Sequence, residues 1–151
     1  MWRNAYETYL EERILSADPV ELIGLLYQGA LSAVADARRR LAAREILPRA
    51  QAISKACNIL LELNTALDHQ RGGEISTRLS QLYGYMHRRL VEANFRQTDA
   101  PLAEVESLLE TLADGWAQVK ERTSKPEPER RSPFVFAAEP ELAHASASWS
   151  F

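Results

Sequence analysis

The chain has 151 residues, 46% apolar and 26% charged, with a formal net charge of −3 at pH 7. That length allows one domain with a real core, and the slight acidic excess excludes a general attraction to nucleic acid. The single cysteine, Cys57, excludes an internal disulfide and fits a reducing compartment.

The start, "MWRNAYETYLEER", lacks the basic-then-apolar order of a signal peptide. No uninterrupted apolar run is long enough to cross a bilayer. The expectation is a cytoplasmic protein without membrane insertion. In residues 1–17, Trp2, Tyr6, Tyr9, Leu10, Arg13 and Ile14 fall at steps of three and four, one sticky stripe if the segment is helical. This N-terminal amphipathic cap either covers a groove and can move away, or is a fixed lid on the core. The residue pattern leaves both open.

Residues 18–122 carry four stripes of helical period. Asp18, Pro19 and Glu21 form a capping-box-like start for helix one, whose stripe runs from Val20 through Ile23, Tyr27, Ala30 and Val34 to Leu41. Helix two is expected from Pro48 to His69, with Ile53, Ala56, Leu60, Leu63 and Leu67 inward. Gly72-Gly73 should break the chain, since glycine reaches positive φ at little cost. Helix three follows with Ile75, Leu79, Leu82, Met86, Leu90 and Ala93. Asp99 and Pro101 open helix four, with Leu102, Val105, Leu109, Leu112, Trp116 and Val119. Short links between helices of roughly 30 Å force antiparallel neighbours. The fold class is therefore all-α, an antiparallel up-and-down four-helix bundle. Beyond it, residues 123–151 are rich in Pro, Ser, Ala and Glu and read as a disordered tail with two apolar islands.

No phosphate-binding glycine loop, nucleophile elbow or H-E-x-x-H pair is present, so no catalytic residue, metal ligand or cofactor is assigned. His69, His87 and His144 are scattered, and Cys57 beside the helix-two seam reads as a small buried thiol. The basic knots Arg38-Arg39-Arg40 and His87-Arg88-Arg89 read as solvated helix faces rather than phosphate sites. Apolar residues, in contrast, are in surplus. Leu61 is turned about 100° from Leu60, so both cannot point at one axis. Leu22, Leu25, Leu31, Tyr83, Tyr85, Val91 and Phe95 add to the excess. Part of it wraps the core; the remainder suits a groove for an amphipathic helix.

"AYETYLEERILSADPVELIGLLYQGAL" and "LELNTALDHQRGGEISTRLSQLYGYMHRRLVEANF" resemble the FliS family of flagellin-specific export chaperones. The shared motifs are the tyrosine pair, D-P-x-E-L-I, L-Y-x-G-A, L-N-x-x-L-D, G-G-E-I and L-Y-x-Y-M-x-x-R-L-x-x-A-N, over Ala5 to Val119. The resemblance implies a cytoplasmic, non-enzymatic bundle that binds the disordered C-terminal region of flagellin in apolar grooves. It implies delivery to the flagellar export apparatus, and it leaves room for other flagellar regulators as partners. It favours the movable-cover reading for Tyr6, Tyr9, Leu10 and Ile14. The expected groove lining is Leu22, Leu26, Tyr27, Leu61, Leu67, Tyr83 and Leu90. Asn64, Asp68 and Asn94 belong to the motifs and either bond a ligand's backbone or fix helix ends. The alternative is a self-associating bundle, an adaptor or regulator without carrier activity.

Overall fold

The computed structural model describes residues 18–124, with side chains through Arg122. The expected cap and all but the first two residues of the expected tail lie outside that range. Four helices fill it: α1 Pro19–Ala42, α2 Ile46–Thr65, α3 His69–Arg96 and α4 Ala100–Ser124. Links of three residues join them.

Local chemistry sets each boundary. At the start of α1, Asp18 is extended (φ −75°, ψ 169°) and its Oδ1 accepts from the Glu21 N–H at 2.7 Å. Pro19 occupies the first turn, where a missing N–H costs nothing. Arg44, with φ 62°, turns the chain out of α1. The next helix begins two residues before Pro48, at Ile46, and the proline still falls in the first turn. It ends at Thr65, four residues short of the expected His69. The cause is Asp68, which caps α3 by accepting from the Gln70 N–H at 3.0 Å and the Arg71 N–H at 3.2 Å.

The expected glycine break is present, but inside α3. One helical turn precedes it, and Gly73 then leaves helical geometry at φ 53°, ψ −125°. Its neighbour Gly72 is sterically required: a Cβ there would lie 1.8 Å from Ser76 Oγ. This bend also corrects the inner stripe. Ser76, not Ile75, turns inward, where its hydroxyl donates to the Asp68 carbonyl at 3.1 Å. Ile75 is left at the surface, 36% exposed.

Each helix packs against two others in a closed ring: α1 on α2 and α4, α3 on α2 and α4. Contacts that join opposite ends show the neighbours to be antiparallel. Trp116 Nε1, late in α4, donates to the Val20 carbonyl at the start of α1, at 2.9 Å. Arg38, late in α1, holds Asp99 and Glu106 near the start of α4. Arg49, at the start of α2, bonds Asn94 at the end of α3. Arg89 of α3 reaches Glu104 of α4 at 2.6 Å. Two members of the basic knots thus tie α4 to its neighbours. Their partners lie 15 to 68 positions away, beyond the reach of a local charge pattern.

The interior is apolar and continuous, from Ile23 and Val34 through Ala56 and Leu60 to Met86, Leu90 and Leu109. By length and hydropathy alone α1 would pass for a membrane span, although its apolar run is interrupted. Its buried stripe is taken up by the bundle, as in the core helix of a globular domain. Across the centre, the hydroxyls of Tyr27 and Tyr83 meet at 2.6 Å. They satisfy each other where water cannot reach. Burial pushes the Tyr27 phenol up to about 12, against a partly opposing bond from Tyr83; burial and Tyr27 together push Tyr83 up as well.

This pair yields a double-mutant prediction. Tyr27→Phe or Tyr83→Phe alone strands a buried hydroxyl and should cost about 1–3 kcal/mol in urea unfolding. The double substitution removes both and should cost less than the sum. The phenol contribution to stability is complete below the unfolded value of 10.0 and falls as pH rises through the raised folded value of about 12 for Tyr27. The loss of stability above pH 10 should be shallower in the double variant.

Candidate partner-binding surface

Large apolar side chains at the surface mark where the bundle has not closed on itself. They are Ile46 and Leu47 at the start of α2, Leu61 further along it, and Ile75, Tyr85, Val91 and Phe95 on α3. Phe95 stands out at 85% exposed, beside Leu61 at 61% and Val91 at 50%.

Helical register gathers most of them. Ile59, on one flank of α2, faces α1, where its Cδ1 would lie 3.3 Å from a Cβ built on Gly29. The opposite flank, carrying Ile46, Ala50, Cys57, Leu61 and Asn64 at steps of four, seven, four and three, is therefore the one toward α3. On α3, Arg89 and Tyr85 reach α4 through Glu104, so the other flank, with Gly84, Val91 and Phe95, lies toward α2. The Arg49–Asn94 bond sets the pairing: the Nε donates to Asn94 Oδ1 at 3.0 Å and Nη2 to the Asn94 carbonyl at 3.4 Å. Phe95 then belongs beside Ile46, and Gly84 opposite Leu61. The two flanks together carry an apolar strip of roughly 27 Å, the axial rise from Ile46 to Asn64. At Gly84 only the Arg88 guanidinium overlies the backbone, 3.5 Å from where a Cβ would stand.

The expected site residues divide by depth. Tyr6, Tyr9, Leu10 and Ile14 lie outside the described residues. Leu22, Tyr27, Tyr83 and Leu90 are inside, none more than 4% exposed; they can shape a groove from beneath but offer no surface themselves. Leu26 and Leu67 are half-buried against the core. Leu61 is fully at the surface. Of the polar motif residues, Asp68 is occupied as the cap of α3 and Asn94 as the acceptor for Arg49. Asn64 differs: its Oδ1 is buried yet has no hydrogen-bond partner among the described residues.

The sequence reading placed Val91 and Phe95 in the apolar surplus without assigning them to the site, and passed over Ile46, Leu47 and Arg49. For Arg49 the available signal was its register, seven residues before Ala56 and on the same inward stripe. Burial raises the Cys57 thiol, which disfavours a reactive thiolate. Outside the strip, the Tyr85 hydroxyl and then Arg89 hold the Glu104 carboxyl below its usual range. Among the described residues, no group of three or more His, Cys, Asp or Glu could hold a metal ion.

Comparison with known proteins gives this surface a context. The family model for the flagellar protein FliS matches residues 2–123. The flagellar secretion chaperone FliS of Salmonella typhimurium is 42% identical over 116 residues, 76% of this chain and 86% of that protein. The flagellar secretion chaperone FliSB of Pseudomonas aeruginosa is 41% identical over 107 residues, 71% of this chain and 85% of the relative. For FliS of Bacillus subtilis the identity is 34% over 116 residues, 77% and 86% of the two chains. With a match over most of its length and relatives at this level of identity, the chain belongs to the FliS family of flagellar secretion chaperones.

Proposed function

We propose that the protein binds the disordered C-terminal segment of flagellin in the cytoplasm, keeps it from polymerising prematurely, and brings it to the flagellar export apparatus. The observation that carries this reading is the α2–α3 apolar strip: Phe95, Val91 and Leu61 stay exposed on a bundle whose core is already filled. An amphipathic helix laid along it covers its own apolar stripe and these residues together. Each large side chain so buried contributes at most about 1.5–3 kcal/mol. Ordering a flexible segment offsets part of that, so the complex is tight enough to shield the cargo and weak enough to release it.

Within this reading the expected site residues take two roles. Leu61, Leu67 and Leu26 supply contact area. Leu22, Tyr27, Tyr83 and Leu90 set the shape underneath. Asp68 and Asn94 hold the helix ends that frame the surface, and Asn64 lies on the same flank of α2 as Leu61. Tyr6, Tyr9, Leu10 and Ile14 act as a cover over apolar surface in the free protein and yield to the larger ligand. Unloading then comes from competition at the export machinery.

Titration calorimetry with a peptide of flagellin's C-terminal segment should give micromolar or tighter binding with one-to-one stoichiometry. Absence of binding, with light scattering showing that the free chain associates with itself through the same residues, would replace the carrier by the self-associating adaptor. Phe95→Ala and Leu61→Ala should each weaken the peptide by about ten-fold or more while leaving the urea midpoint nearly unchanged, because neither side chain is buried in the free bundle.

Removing residues 1–15 should leave the bundle helical by circular dichroism and change peptide affinity. Unfolding of the truncated chain would make the segment part of the core instead.

A further inference from the structure

Arg88 stands among the exposed apolar residues without a counterpart. On α3, Gly84, Arg88, Val91 and Phe95 follow at steps of four, three and four and share the outward face. The Arg88 guanidinium lies over Gly84, opposite Leu61 of α2. It makes no hydrogen bond or ion pair among the described residues, whereas Arg78 and Arg89 of the same helix each hold a carboxylate. Leu61 and Val91 beside it are 61% and 50% exposed. The patch is apolar with one unmatched positive charge. Its complement is a short segment of large apolar side chains followed by carboxylates.

This chain carries such a segment. Phe134, Val135 and Phe136 are followed by Glu139 and Glu141, and residues 132–151 contain no lysine or arginine. The island lies beyond the family match, which ends at residue 123. Its tether has a suitable length. Glu104 meets both Tyr85 and Arg89, so it is level with Arg88. Ser124, the end of α4, lies twenty residues on, an axial distance of about 30 Å. Phe134 and Phe136 follow Ser124 by ten and twelve residues, which reach at most about 36 and 43 Å. The island therefore reaches Leu61, Arg88 and Val91 of its own bundle. Tethering of this kind holds a segment at an effective concentration in the millimolar range, so a weak contact suffices.

We infer that residues 134–141 fold back on the same molecule and cover this patch, with Phe134 and Phe136 against Leu61 and Val91 and the Glu139–Glu141 pair facing Arg88. The phenylalanines supply the contact. The ion pair, at the surface, sets orientation more than strength. One consequence rests on the carrier reading: the segment is an internal competitor, which occupies part of the strip in the free chain and raises the apparent Kd for cargo by the share it occupies.

The test uses the full-length chain with labelled Leu and Val methyl groups. In Phe134→Ser/Phe136→Ser the Leu61 and Val91 methyl signals should move, because two ring currents are gone, while those of sealed Leu60 and Leu90 stay in place. Both positions lie beyond α4, so the bundle is untouched. Glu139→Gln/Glu141→Gln and Arg88→Gln should each produce part of the same movement, and combining them should add nothing further. Unmoved Leu61 and Val91 signals in the phenylalanine variant overturn the contact; movement in Tyr6→Ser/Tyr9→Ser instead gives the patch to the leading segment. Wild-type signals that change on dilution overturn the intramolecular assignment in favour of a second copy. Calorimetry with the C-terminal flagellin peptide reads the consequence: the phenylalanine variant should bind about two- to ten-fold more tightly than wild type. Equal affinity overturns the competition. A peptide that binds neither chain removes the carrier reading and leaves the fold-back to stand or fall on the methyl signals.

Discussion

A bundle of four helices can turn only one stripe of each helix toward its axis, and the apolar residues off that stripe decide what else the molecule does. Here the core is complete without them. Val34, Ala56, Leu60, Met86, Leu90 and Leu109 are sealed, the ring of packing α1–α2–α3–α4 is closed, and the two polar groups at its centre satisfy each other. Phe95, Val91 and Leu61 are therefore not an unfinished interior. They sit on a frame that holds its shape without their burial.

The frame is held differently on its two sides. The α1–α4 and α3–α4 edges are clasped by charge, with Arg38 on Asp99 and Glu106 and Arg89 on Glu104. These pairs are substantially exposed and add little stability each, though they fix the setting of α4. The α2–α3 edge has Arg49 on Asn94, buried and with neutral acceptors. Ion pairs close one side of the bundle, and among the described residues none crosses the α2–α3 edge, which is the one that carries exposed phenylalanine, valine and leucine. Polar and apolar asymmetry coincide at one seam.

Much of this was legible in the sequence because local signals dominated. Asp18 and Pro19 announced α1, and the apolar period located the inward stripes of all four helices. Where the reading failed, two local signals competed or a distant partner ruled. Asp68 ended α2 early because a capping carboxylate outweighs a continuing apolar period. Ile75 lost its inward place to Ser76 because Gly73 resets the helical phase. Arg38 and Arg89 do lie on partly solvated faces, but their carboxylate partners were not readable because they lie on another helix. Depth was the least readable property: Tyr27, Tyr83, Leu90 and Leu61 all share helical stripes with core residues or their neighbours, and one turn of about 100° separates sealed Leu60 from exposed Leu61. Periodicity gives the angle around a helix, not how near the adjoining helix comes.

The hydrogen bond from Trp116 to the Val20 carbonyl has a topological corollary. It places the first turn of α1 against the last turns of α4, so the polypeptide enters and leaves the bundle at a single pole. Phe95 and Ile46 belong to the opposite pole, where α2 begins and α3 ends. Asp18 and Ser124, where the described chain begins and ends, are therefore both remote from that apolar rim.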